Sequence, residues 1–278
     1  GRGLVLSVLF GRSQSIHQRL RDCNVGALLV AAALSAVWLS SFCSASEDGG
    51  LRTRHRSRTM AHLPPLEIHE LEELKPILAM SEATMGFVPN SMRTMAHMRQ
   101  LPVAFSVLFG TVMGADVKVL MENLVKVAPE QNTPEENLPA DLLQLVAYCV
   151  SISAGCRYCQ AHTGHNTARM SDAPDTQAEK RAQVLLYESA DCFSDAERAA
   201  IALALAAGEV PNAATQQHFD AMSEHFSKRQ ITQMTAVISA FGFLNRWNDT
   251  VATALEDLPS EFAQRELSTG GWQLGKHA

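Results

Sequence analysis

DLLQLVAYCVSISAGCRYCQAHTGH, residues 141–165, is the stretch that decides the fold class. Residues 142–152 are an apolar run without a charge, and Pro139-Ala140-Asp141 before it supplies a proline for a first helical turn and an acid where the helix dipole favours one. The run therefore reads as a helix that delivers the chain to Gly155. A second helix is expected from about residue 156 to 169 or 170. It opens on two thiols, Cys156 and Cys159, followed by two imidazoles, His162 and His165. Nothing else in the sequence gathers groups that are nucleophilic, redox-active or metal-binding near neutral pH.

Working outward, helices continue on both sides. Downstream, residues 171–176 with Pro174 break the pattern, and residues 177–188 resume it. Ser194 with Glu197 three positions on is a capping-box signature ahead of the apolar run 199–207. Pro211-Asn212 ends that run, and residues 215–226 and 228–245 supply two more helices. Upstream, Leu66, Leu71, Leu74, Ile77 and Leu78 recur at helical spacing among glutamates, with Pro76 marking a bend near the end of that helix. Residues 86–90 punctuate the chain, Asn90 or Ser91 caps a helix over 92–98, another helix follows Pro102, and residues 128–139 are loop-like. No stretch alternates with period two between turns, so the chain is read as all-α and multi-helical. Aligning Gly155 with Gly208, an offset of 53 residues, superimposes two apolar helices that end in glycine, an echo that suggests an internal helical repeat.

Composition limits the partners. A net charge of −6 over 278 residues, with no basic stripe, argues against nucleic acid. Six unevenly spaced cysteines, Cys23, Cys43, Cys149, Cys156, Cys159 and Cys192, do not make a disulfide scaffold, and only Cys156 and Cys159 look paired. Cys149 and Cys192 sit among apolar neighbours and are read as inert core residues. Residues 1–62 are set apart as an N-terminal extension from an all-α domain over 63–278. Within the extension, residues 25–42 are uncharged, apolar and long enough for a bilayer core of roughly 30 Å. They read as a signal, an anchor or translated upstream sequence if Met60 is the true start. Only an anchor would make the membrane a partner. The protein is expected in the cytoplasm if translation begins at Met60, and membrane-anchored or exported otherwise.

Two cysteines three apart at the start of a helix lie on nearly one face and close a disulfide with little backbone movement. The helix N-terminus stabilises a thiolate there. His162, one turn beyond Cys159, is placed to take or hold a proton near pH 7, and His165 lies a further turn along. The set supports a dithiol cycle of attack, sulfenic acid or mixed disulfide, and resolution. Two other readings stay open: four zinc ligands in Cys-x2-Cys-x2-His-x2-His, and a pair of small buried hydrophobes. A thioredoxin fold would need βαβ patterning, which is absent.

An all-α chain in which an apolar helix leads into Gly-Cys-Arg-Tyr-Cys-x-x-His resembles the alkylhydroperoxidase D-like, or carboxymuconolactone decarboxylase-like, family. Residues 85–90 (MGFVPN) and 241–248 (FGFLNRWN) resemble segments of its peroxidase-related branch. The resemblance covers residues 63–259. It implies that Cys159 attacks a hydroperoxide or disulfide, that Cys156 resolves the product, and that an unidentified thiol reductant restores the pair. It calls on no cofactor and no metal, and it implies a homo-oligomer. The family's proton relay uses a Glu twelve residues before the first cysteine and a His four after the second. Those positions hold Gln144 and Thr163, and His162 and His165 bracket the latter. The decarboxylase branch offers the alternative, a lyase or small-molecule binder that does not depend on thiols.

Overall fold

The computed structural model describes residues 61–130 and 136–278. Residues 25–42, Met60 and the readings that rest on them lie outside these. Every regular element among the described residues is helical, so the all-α reading holds. No helix among them is long and apolar enough to cross a membrane.

The chain forms two compact units divided at residues 131 and 132. In the first unit, short 3-10 turns lead into α1 (Lys75–Met85), α2 (Asn90–Met95), α3 (Leu101–Val112) and α4 (Val117–Leu124). Leu71, Leu74, Ile77, Leu78, Met92, Ala96, Val103 and Leu124 form its core. Pro76 sits in the opening turn of α1 and does not bend its end, because the N–H that proline lacks has no intrahelical partner there in any case. α2 begins two residues earlier than its pattern indicates, with Pro89 in place of a side-chain cap. α4 is not evident from periodicity; Asp116 caps it, accepting from the Lys118 and Val119 N–H groups.

The second unit holds α5 (Ala140–Ser153), α6 (Arg157–Met170), α7 (Pro174–Gln183), α8 (Asp195–Gly208), α9 (Gln216–Ser223), α10 (Lys228–Val251) and α11 (Asp257–Glu266). α5 is its central helix, with α6, α8 and α10 packed around it. Residues 145–151 are buried without a break, so α5 is covered on all sides; a helix apolar around its whole circumference has no face to give to water. Pro174 again opens a helix that the pattern starts at 177.

α10 runs six residues past residue 245, and Ala252 closes it in a left-handed conformation with φ of 49°. That extra length carries Asn248 and Asp249 on the same face as Asn245. α5 and α8 are equally long and packed together, but the glycines that suggest a repeat do different work. Gly155 lies beyond α5 with φ of 75°. Gly208 is the last residue of α8, and a Cβ there would stand 2.8 Å from Cβ of Ser153 and 2.9 Å from the Val150 carbonyl oxygen.

Candidate active site

The turn from α5 to α6 fixes the thiols. The Gly155 N–H donates to the Ile152 carbonyl at 3.0 Å and the Cys156 N–H to that of Ser151 at 3.2 Å. With φ of −77° and ψ of 105°, Cys156 takes the N-cap position of α6, and its Sγ accepts from the Cys159 N–H at 3.5 Å. A sulfur thus does the work usually given to a Ser or Asp oxygen. The Gln160 side-chain amide ties back to the Ser151 carbonyl at 3.1 Å, and the indole N–H of Trp272 donates to the Arg157 carbonyl at 3.0 Å. The first turn of α6 is therefore held from both sides, and both cysteines are closed off from solvent.

The two sulfurs divide one proton unequally. Cys159 is drawn below the ordinary thiol range, first by the hydrogen bond that Cys156 donates to it, against the cost of burial, and then by Asn248, whose Nδ2 lies 3.5 Å from Cys159 Sγ. Cys156 is pushed up, because ionising it would break that bond and because burial and the Asp249 charge oppose a second anion. The arrangement favours a Cys159 thiolate beside a Cys156 thiol, with titration belonging to the pair. Burial raises Cys149 and Cys192 instead, so both stay protonated.

The imidazoles named from sequence face elsewhere. His162 Nε2 pairs with Glu256 Oε2 at 2.7 Å, and its ring lies 4.4 Å from that of Tyr158, whose hydroxyl donates to Glu256 Oε1 at 3.0 Å. Burial works against ionised Glu256, but its own backbone N–H, His162 and Tyr158 hold it below the usual carboxylate range. His165 packs edge-on against Phe262; partial burial and Arg169 lower its proton affinity. No hydrogen bond links either ring to a sulfur among the described residues. Thr163 donates to the Cys159 carbonyl at 2.6 Å, and Gln144 Oε1 is buried without a partner.

Periodicity and spacing do not find the residues that complete the site. Asn248 and Asp249 come from the far end of α10, and His277 from the turn Gly275–His277, folded back against α6. His277 is 1 % exposed. Its Nδ1 meets the Thr253 carbonyl at 2.8 Å and its Nε2 meets Asp249 Oδ1 at 3.2 Å. Ligand atoms of Cys156, Asp249 and His277 all lie within 4.8 Å of one another, compact enough to hold a cation. The Lys276 ammonium already stands 3.6 Å from Asp249 Oδ1 and supplies positive charge there. The Trp and the His of the run GWQLGKH, residues 271–277, are the one sequence signal that this segment contributes to the site.

Beside this cluster lies a cavity of about 720 Å³, open on one side. Asp249, Ala154 and Val150 border it on the site's side, and Ile238 and Asn245 extend it. Asn245 is buried with neither amide atom hydrogen-bonded.

No family model matches the chain, and no curated protein matches its sequence. Among solved structures, the debrominase Bmp8 in its apo form is 27% identical over 73% of this chain and 96% of its own, with a TM-score of 0.44. A Cys-to-Ala variant of Bmp8 in complex with 2,3,4-tribromopyrrole is 26% identical over 74% of this chain and 98% of its own, also with a TM-score of 0.44.

Proposed function

We propose that the second unit is a thiol-dependent oxidoreductase of the alkylhydroperoxidase D-like kind, reducing hydroperoxides or disulfides through Cys159 and Cys156. The observation that carries this reading is the unequal thiol pair: the Cys159 sulfur receives hydrogen bonds from Cys156 and from Asn248 at 3.5 Å. A thiolate so held is a nucleophile with its resolving partner already in contact.

With a hydroperoxide, Cys159 Sγ attacks the distal oxygen, the O–O bond breaks, and the alkoxide leaves as the alcohol. Cys156 Sγ then bonds to Cys159 Sγ while the S–O bond of the sulfenic acid breaks and water departs. An external thiol returns two electrons and two protons to the disulfide. The i and i+3 placement at the head of α6 lets the disulfide form with little movement of the backbone. Cys159→Ser reduces turnover of an organic hydroperoxide to the uncatalysed rate, whereas Cys156→Ser still consumes one equivalent and stops at the sulfenic acid. Unchanged turnover by Cys159→Ser removes the proposal.

The cavity favours a second, non-redox reading, because its lining includes no sulfur and presents Asn245 with an unused amide. A small-molecule binder or lyase of that kind would act equally well with both cysteines replaced by serine, so the same variants decide between the two.

A further inference from the structure

We propose that Cys156, Asp249 and His277 form a zinc-binding site, in which a thiolate, a carboxylate oxygen and an imidazole nitrogen take three positions of a tetrahedron and leave the fourth open. The site itself does not depend on the dithiol reading above; its consequence for turnover does.

The three ligands come from separate elements: Cys156 from the N-cap of α6, Asp249 from α10 and His277 from the turn Gly275–His277. One ligand atom of each lies within 4.8 Å of the other two. The orientation of the ring carries the argument. The Thr253 carbonyl can only accept, so His277 Nδ1, 2.8 Å away, bears a hydrogen, and the neutral ring keeps its lone pair on Nε2. That lone pair faces Asp249 Oδ1 at 3.2 Å, a meeting of two acceptors that only a positive centre between them makes favourable. Tying the second ring nitrogen to a carbonyl is how proteins fix the tautomer and aim of a metal-binding imidazole. The turn is itself anchored, because the Leu255 N–H donates to the His277 carbonyl at 2.9 Å.

Distance and charge both suit zinc. Bonds of about 2.0–2.1 Å to nitrogen and oxygen and about 2.3 Å to sulfur set tetrahedral edges of about 3.3 Å between N and O and about 3.6 Å between S and N. The 3.2 Å separation of His277 Nε2 and Asp249 Oδ1 already matches the first edge. Cys156 Sγ, within the 4.8 Å limit, has no more than about 1.2 Å to close. Thiolate and imidazole favour zinc over magnesium and calcium, which take oxygen ligands. One divalent ion also balances one thiolate and one carboxylate, so no net charge is left where Cys156 and His277 are buried. The hydrogen bond to Cys159, burial and the Asp249 charge hold the proton on Cys156, and a coordinating cation offsets them by taking the sulfur as thiolate. Lys276 does not fill the position: its half-exposed ammonium donates to the Asp249 main-chain carbonyl at 2.7 Å and stands 3.6 Å from Oδ1. A Cys156 sulfur bound to zinc cannot bond to Cys159, so zinc and the disulfide exclude each other.

The test titrates the reduced, metal-free whole chain with zinc sulfate against a chromophoric chelator, and with cobalt(II) for its thiolate-to-metal absorption. One equivalent of zinc binds, and cobalt shows the spectrum of a four-coordinate ion with a thiolate ligand. Cys156→Ser, Asp249→Asn and His277→Gln each weaken zinc by more than the roughly 10–100-fold that loss of an outer partner costs, and Cys156→Ser also abolishes the absorption. A double variant, His162→Gln with His165→Gln, binds as the wild type does, which separates this site from one strung along α6. Circular dichroism establishes folding, and Cys156→Ser with Asp249→Asn keeps the test decisive if the buried His277 cannot be replaced. No zinc on the folded wild type, unchanged binding in folded Cys156→Ser or Asp249→Asn, or loss of binding in the double variant overturns the site. Cumene hydroperoxide then yields a disulfide, read by intact mass, only after chelation; a disulfide formed with zinc still bound overturns the exclusion. Absence of a disulfide even from zinc-free protein removes the dithiol reading and leaves the zinc site standing.

Discussion

At Gly155 the backbone adopts φ of 75°, and nothing lies within 4 Å of where a Cβ would stand. The residue is there for its torsion and not for space. A left-handed torsion costs an L-residue about 1–2 kcal/mol. Gly155→Ala is therefore expected to destabilise by that amount with an unchanged urea m-value, since no packing is lost; urea unfolding checks both. Gly208 is the opposite case, a helical glycine kept because Ser153 and Val150 leave no room. The sequence presents both as glycines after apolar runs, and only the fold around them separates the reasons. The same limit explains the site. Cys156 and Cys159 are legible because a helix N-terminus and a spacing of three are local facts. Asn248, Asp249 and His277 reach the sulfurs from about 90 to 120 positions away, through packing that no spacing rule encodes.

Helix ends follow the same division between local and distant causes. The capping box at Ser194 and Glu197 is readable because its hydrogen bonds join residues three apart, and it forms as expected. What stays hidden is that Glu197 also pairs with Lys180 of α7, with both side chains largely buried. Burial disfavours the charged carboxyl, but the Lys180 ammonium and the Ser194 N–H and hydroxyl overcome it and hold Glu197 below its ordinary value of 4.5. A carboxyl depressed on folding adds stability above its unfolded pKa, and that stability is lost as pH falls through the folded one. Glu197→Gln should cost about 1–3 kcal/mol at neutral pH and flatten the loss of Tm that the parent shows below about pH 4.5. Calorimetry across pH 3–7 reads both effects. α4 and α11 escape sequence reading for a related reason: each is short, and α11 carries a proline in its first turn, so neither periodicity nor composition marks it out.

For the whole chain, helical class is legible and the second core is not. The loop-like run 128–139 brackets the division between the units, but nothing in composition marks a second core. The second unit leaves Cys156 0% and Cys159 2% exposed, and under the proposed dithiol function this burial sets the kinetics in a way that the thiols' chemistry alone does not. An oxidant bigger than water reaches Cys159 only when the packing around α6 and α10 parts, so opening comes before attack. At low concentration, oxidants should react in the order of their intrinsic reactivity. At high concentration their rates should level off at one shared ceiling, the rate of opening. Stopped-flow traces with hydrogen peroxide and with a bulkier hydroperoxide would then rise with different slopes to the same plateau. Separate plateaus, or a linear rise throughout, would mean that the sulfur is reached without a gate. On this view burial does more than tune a pKa: it acts as a clock that makes chemically dissimilar substrates keep the same time.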